Sequence, residues 1–427
     1  MRVLIVAFYF PPAGGGGVQR TLKFCKFLPE HGVEVHVLTP HDPKWFARDE
    51  HLLESIPATT TVHRCRFLGP RSTSHADALE GRSRLGRLGT EVRFAYQRAL
   101  IPDKAAPWLA TAVPAGIGVV RRHDIDVIMS TSPPASTHLV AEAIATATRR
   151  PFVADFRDSW LDNPHRRYDK AGVRVKRAMV SRMAASVGRR AAALTAATGS
   201  IAQEIAQLDP DAAHKTTVIE NGADFDDFER LVYRRNDRFT IVHAGSFFGQ
   251  RSPRPFLQAL AGLLDRRSDL DGLVLARFIG ELRGEDRTFA HGLDIDSAWR
   301  EEGFLPYSES IRAQRAADAL LLLIPHAGGR GDTVLSGKVF EYVAARRPML
   351  AAVPPNGAAA NLIRAVGAGS VVDCDDVVAI SAALEQMVDG WQDGGLADVE
   401  QPDQVRERLS RAGRAGELAA VLRRVAR

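Results

Sequence analysis

The sequence predicts an α/β protein built from two parallel-sheet units, and three observations carry the prediction. The chain opens as a βαβ unit, with a buried strand within Met1–Phe10, a loop Pro11–Gly17, a helix from about Val18 to His31, and a second strand, Val33–Leu38, after Gly32. The same alternation starts afresh at Phe239. Between the two series lies VIENGADFDDFERLVYRRNDRFTIVHAGSFFGQRSPR, Val218–Arg254, in which a strand ends at Asn221-Gly222, a charged linker follows, and a new buried strand, Phe239–His243, runs into Ala244-Gly245-Ser246. Repeated βα units imply parallel sheets with helices on both faces, here built twice.

Composition sets the frame. With 427 residues, 45% hydrophobic and 25% charged, the chain reads as a soluble globular protein too long for one core. A net charge of +5 is modest for this length and does not point to nucleic acid. Cys25, Cys65 and Cys374 lie far apart without pairing or metal spacing, so buried thiols in a reducing cytoplasm are expected. Val3–Phe10 has the apolar character of a signal-peptide core, but it runs into Pro11-Pro12 and four glycines, which favours a first strand. No run approaches the roughly 20 apolar residues that cross a bilayer.

Taken in order, the first half continues with a weakly patterned interval, Arg64–Pro107, and then a helix ending near Arg122. The strand Val127–Ser130, a turn at Thr131–Pro134 and the helix Ala135–Thr148 follow, and then the strand Phe152–Asp155. Leu161–Arg190 carries nine Lys or Arg against Asp162 and Asp169, with Val173, Val180, Met183 and Val187 at helical spacing. That pattern fits a core-packed helix with a solvated basic side, or a surface for anionic lipid headgroups. A short strand Ala192–Ala196, a helix Gly199–Gln207 and the strand Thr217–Ile219 close this half.

The second half reads as helix Pro253–Asp265, strand Leu273–Ile279, helix Asp296–Glu301, helix Ser310–Ala316 and strand Ala319–Ile324. A glycine-rich loop then leads to Ser336, a plausible N-cap, and a helix Gly337–Ala345, followed by the strand Met349–Ala352 and a final βα unit. Val405–Arg427 is helical, with Leu409, Leu418, Val421, Leu422 and Val425 as anchors and its arginines as a solvated face.

Chemistry is expected in the loops that leave the carboxyl ends of the strands, where open α/β sheets bind ligands. The glycines up to Gly16 and Gly17 let backbone amides approach an anion at a helix amino end. The dinucleotide fingerprint fails, because its third glycine would fall at Gln19. Arg157 and Asp158 follow one strand end, where a mutual ion pair and a functional role are both open. Arg251 and Arg254 follow another. Lys338 and Glu341, three apart on a helix, suit a local ion pair. They suit equally a diphosphate at the helix amino end, with Lys338 adding charge and Glu341 accepting from ribose hydroxyls.

The order PPAGGGGVQR, VADFRDSW, VIENGADFDDF, HAGSFFGQR and SGKVFEYVAARRP resembles the family 4 glycosyltransferases of the GT-B fold, most closely those of bacterial surface polysaccharides and glycoconjugates. The resemblance spans nearly the whole chain. It implies two facing Rossmann-like domains with an interdomain cleft: an acceptor domain over 1–228, a linker over 229–238, a nucleotide-sugar domain over 239–400, and a terminal helix over 401–427 returning to the first domain. Arg251 matches the arginine that contacts the donor diphosphate, and Glu341 the ribose ligand that ends the family's E-x7-E motif. Ser336, Gly337 and Lys338 match the turn around the distal phosphate, Gly245 and Ser246 the GS loop, Gly16 and Gly17 the opposing glycine loop, and Leu305 the wall beside the base.

The sequence departs from the pattern in three places. Thr333 stands where the first glutamate of E-x7-E would be, Ser252 and Pro253 follow Arg251 where a second basic residue is usual, and Ser132-Pro133 occupies the place of a histidine. Arg254 or Lys338 is expected to stand in for the missing cation, and His138 to be structural. The implied reaction is transfer of a glycosyl group from a nucleoside diphosphate sugar to an acceptor hydroxyl with retained configuration. Arg251 and Lys338 would stabilise the leaving diphosphate, and Asp158 is the further candidate at the reacting centre. No cofactor and no metal is expected, since Asp124/Asp126 precede their strand and Asp373/Asp375 read as a loop before a helix. The acceptor is expected to be lipid-linked or a small molecule, and the location cytoplasmic, with peripheral contact to an anionic membrane. The alternatives are a catalytically degenerate nucleotide-sugar binder and another enzyme of the same fold.

Overall fold

The computed structural model describes residues 1–43, 45, 47–70, 96, 97, 99–160 and 171–426. They divide into two compact units: residues up to Glu220 together with those from Arg411 onward, and Asn221–Ser410.

The first unit contains a parallel sheet of seven strands: β1 (Arg2–Ala7), β2 (Glu34–His41), β3 (Thr61–Arg66), β4 (Val127–Ser132), β5 (Phe152–Phe156), β6 (Ala193–Ala196) and β7 (Thr216–Val218). Their order is β3-β2-β1-β4-β5-β6-β7. Central strands read as near-continuous apolar runs because both faces are covered. Val3 and Ile5 pack with Val35, Val127 and Met129 on one face, while Leu4 and Val6 pack with Leu38, Ile128 and Ala154 on the other. The order turns around between β1 and β4, and it is at the carboxyl ends of such strands that open α/β sheets bind ligands.

The second unit repeats the plan with β8 (Phe239–Ala244), β9 (Val274–Ile279), β10 (Trp299–Gly303), β11 (Ala319–Leu323), β12 (Met349–Ala352) and β13 (Gly369–Val372), ordered β10-β9-β8-β11-β12-β13. Phe239 and Ile241 face one core, and Val242 and Ala244 the other. Here the switch lies between β8 and β11.

Several expectations change. Thr61–Arg66 is a strand inside the interval that lacked pattern, because it sits at the sheet edge with mostly half-exposed side chains. Residues 71–95 of that interval lie outside the described residues. Asp296–Glu301 is not a helix: only Asp296–Ala298 makes a 3₁₀ turn, and the chain then pairs with β9 as β10. Strand pairing wins there over the helical reading, as tertiary context commonly does. A helix at Gly284–His291 was not anticipated.

Within Leu161–Arg190 the described helix is Ala171–Arg190, and Leu161–Lys170 lie outside the described residues. Val180, Ala184 and Val187 are buried, whereas Arg174, Arg177, Arg182, Arg189 and Arg190 are exposed. The terminal segment forms two helices, Asp403–Leu409 and Arg411–Ala426, interrupted at an extended Ser410. Ala415, Leu418 and Leu422 pack with Val3, Phe24 and Leu28. Its arginines are not all solvated: Arg411 and Arg414 are buried, and Arg414 pairs with Glu417 at 2.7 Å and Glu220 at 3.5 Å.

Candidate functional site

In the second unit the loop after β8 begins at Gly245, whose φ of +137° lies in the region that favours glycine. Close approach also requires glycine there. A Cβ on Gly245 would stand 1.9 Å from Lys338 Nζ, so the lysine lies directly over the glycine. Ser336 caps the Gly337–Ala345 helix by accepting from Lys338 N–H, which fixes the first turn and its free amides. Lys338 then reaches back from that turn to the loop.

The Lys338 ammonium is buried and has no hydrogen-bond partner among the described residues. Burial, and then the nearby charge of Arg251, push its pKa well below the ordinary lysine value, against the opposing pull of Glu341. Arg251 is 8% exposed, and its Nε is likewise buried without a partner. Its guanidinium lies over the exposed Phe248 ring at 5.5 Å. Two adjacent cations with buried, unsatisfied donors at a helix amino end form a site that an anion would complete.

Two residues that the sequence reading did not single out support this cluster. Tyr342, fully buried, accepts from Ala244 N–H at 2.8 Å and donates to Leu321 O at 3.4 Å, tying the helix to the ends of β8 and β11. His243 Nδ1 donates to Leu321 O at 2.9 Å. That bond leaves Nε2 as the unprotonated nitrogen. Burial, followed by the charges of Lys338 and Arg251, holds His243 neutral. The signal for Tyr342 is its place one residue after Glu341; His243 reads in the sequence only as another strand position.

Other candidates are placed differently. Arg254 Nε donates to the fully buried Asp286 at 2.8 Å, where Ser252 and Arg283 also converge. Its charge is therefore paired with a carboxylate on the Gly284–His291 helix. Ser246 Oγ accepts from Glu281 N–H at 3.1 Å. Glu341 is half-buried one turn beyond Lys338. Leu305 packs half-buried against the core that holds Val339 and Phe340. Thr333 is exposed on a 3₁₀ turn and donates to Arg330 O at 3.0 Å. Asp373 pairs with His326 at 3.0 Å and accepts from Asp375 N–H.

In the first unit, Gly15 at φ +86° precedes the Gly16–Phe27 helix, and a Cβ on Gly16 would meet nothing within 4 Å. On Gly17 it would meet only Tyr9, at 4.0 Å. The glycine loop thus presents open backbone. Arg157 donates to Ser132 O at 2.8 Å and to Gly17 O, so its guanidinium braces that loop instead of pairing with Asp158, which is exposed. Beneath it Arg20 and Asp155 form a buried two-point ion pair at 2.8 and 3.1 Å, joined by Thr131 and Thr195 hydroxyls. Burial alone would raise the Asp155 carboxyl, but Arg20 and the hydroxyls outweigh it and hold it below the ordinary range. His138 is fully buried against Phe156 and Trp160, with Nδ1 on Ser130 Oγ at 2.5 Å.

Comparison with known proteins adds to this geometry. Residues 15–222 match the family described as Glycosyl transferase 4-like domain. Curated protein sequences gave no match. The fold is similar to that of Anabaena Alr3699/HepE, solved in complex with UDP and glucose, at a TM-score of 0.63 and 16% identity, covering 99% of this chain and 100% of that one. It is also similar to a glycosyltransferase from Rickettsia africae, at 0.61 and 13% identity over 99% and 98% of the two chains. WaaG, a glycosyltransferase involved in lipopolysaccharide biosynthesis, aligns at 0.57 and 15% identity over 100% and 98%.

Proposed function

We propose that this chain, whose residues 15–222 match the Glycosyl transferase 4-like domain and whose two parallel sheets have the GT-B fold, transfers a sugar from a nucleoside diphosphate donor to an acceptor hydroxyl with retention. The observation that carries this reading is the buried, unpartnered pair of cations, Lys338 and Arg251, at the amino end of the Gly337–Ala345 helix. A diphosphate supplies the missing anion. Negative charge grows on the donor's leaving phosphate as the glycosidic bond breaks, and preorganised donors in a dry site stabilise it there. Amides of Gly337 and Lys338 join the two side chains, Gly245 and Ser246 shape the loop, and Arg254 acts through Asp286 to hold the loop that carries Arg251. Glu341 takes the ribose hydroxyls, Leu305 lies beside the base, and Thr333 faces the sugar. The first unit presents the acceptor, with Gly16 and Gly17 as open backbone and Asp158 as the exposed carboxylate next to Arg157, which braces that loop.

A lipid-linked acceptor fits better than a soluble one, because Val175 and Met179 are exposed at 64% and 39% beside Arg174 and Arg177 on one helix. Biosynthesis of a polysaccharide or glycolipid is the corresponding setting. The donor reading is tested by calorimetric titration with UDP, GDP, dTDP and ADP, with and without magnesium. Micromolar binding of one of them without metal is expected. Glu341→Ala should lose about 1–3 kcal/mol of that affinity, the worth of a buried hydrogen-bonded contact. If Glu341→Ala binds as tightly as the parent protein, Glu341 is not the ribose ligand, and if no nucleotide binds, the donor site is wrong.

A further inference from the structure

We propose that His36, His63 and His123 form a binding site for one divalent cation of the zinc class, near the amino-terminal ends of the first unit's strands and independent of the transferase reading. The register pairs His36 with Thr61 and Leu38 with His63, so His36 and His63 project from the same face of the β2–β3 pair. His123 ends the helix Leu109–His123, which packs over these strands. The three ring centroids lie 4.7–5.4 Å apart, and one ligand atom from each histidine falls within 4.8 Å of the other two.

The tautomers suit a metal. His36 is 1% exposed, and its Nε2 donates to Glu34 Oε1 at 3.1 Å. That bond leaves Nδ1 with its lone pair, aimed at His63 Nε2 at 3.1 Å. Two imidazole nitrogens about 2.0–2.1 Å from one tetrahedral ion stand roughly 3.3 Å apart, close to this separation. A carboxylate behind a ligating histidine is the usual outer partner in such sites. Three imidazoles select zinc, cobalt, nickel or copper over calcium or magnesium, which prefer oxygen. The ion would tie the edge strands to the end of the helix, with a fourth coordination position left to solvent.

The competing arrangement is a plain N–H···N hydrogen bond between His36 and His63. Untagged full-length protein, stripped with chelator and desalted, is titrated with zinc chloride by calorimetry, and cobalt replaces zinc to show the visible absorption of a tetrahedral nitrogen site. One ion per chain is expected, with a rise in melting temperature. Glu34→Gln should weaken zinc about 10–100-fold, and His63→Gln at least as much, while both variants melt close to the parent in the absence of metal. His326→Gln, in the second unit, should leave the affinity unchanged. No binding up to millimolar zinc, binding unaltered in Glu34→Gln and His63→Gln, or binding lost only in His326→Gln would each overturn the assignment.

Discussion

Replacing Lys338 with methionine keeps most of the side chain and deletes its charge, and the structure sets opposite signs for two assays. In the free protein the ammonium is buried without a partner beside Arg251. A buried unsatisfied group costs about 1–3 kcal/mol, so Lys338→Met should raise the stability of the ligand-free protein by an amount of that order. With UDP bound, a charge-assisted contact worth about 1.5–3 kcal/mol is lost. Affinity should then fall about 10- to 100-fold, since about 1.4 kcal/mol is a factor of ten. The sign of the proton linkage follows from the same burial. The folded pKa of Lys338 lies below its unfolded value, so the lysine favours folding only above the unfolded value, and that support is lost as pH falls through the folded one. A bound diphosphate opposes that shift, so the stability gained from UDP should grow as pH falls towards the folded value. Lys338→Met should abolish this dependence. Gly245→Ala probes the same contact from the other side: its Cβ would lie 1.9 Å from Nζ, at a φ of +137°. It should weaken both UDP binding and folding. Equal UDP affinity in Lys338→Met and the parent would refute the anion site.

Three further outcomes are expected. Arg20→Met leaves the fully buried Asp155 with hydroxyl partners only, and should destabilise the protein by about 3–5 kcal/mol in urea titrations at pH 7. Because the folded Asp155 pKa is depressed, the deficit should shrink as pH falls through that value, and a loss under about 1 kcal/mol would contradict the buried pair. Buried His138 titrates at about 3, whereas an unfolded histidine takes its proton near 6.5. Stability should therefore fall below about pH 6.5 by up to about 1.4 kcal/mol per pH unit from this residue, and His138→Gln should flatten urea midpoints measured at pH 7, 6 and 5. Vesicle sedimentation should recover the protein with anionic but not neutral lipid. Val175→Glu with Met179→Glu should release it, and absence from the anionic pellet would remove the membrane contact.

Local pattern was enough for the elements that pack on both sides. Phe239–Ala244, Gly337–Ala345 and Met349–Ala352 could be placed from apolar runs, a serine N-cap and flanking glycine or proline, because each signal lies within a few residues of the element it shapes. Edge elements were harder. Thr61–Arg66 and Trp299–Gly303 gain their stability from pairing with a neighbouring strand, and their own side chains are too polar to announce it.

The sequence by itself determined that two parallel sheets would form and that glycine loops and a capped helix would stand at their carboxyl ends, since periodicity and turn chemistry are written over short spans. Only the tertiary structure decided which charges meet. Strand order, absent from any local signal, brings Lys338 over Gly245 beside Arg251, gives Arg254 to Asp286, turns Arg157 onto backbone carbonyls, and gathers His36, His63 and His123 from segments up to 87 residues apart. A charged side chain takes whichever partner the packed chain leaves within reach, and that reach is a property of the whole fold.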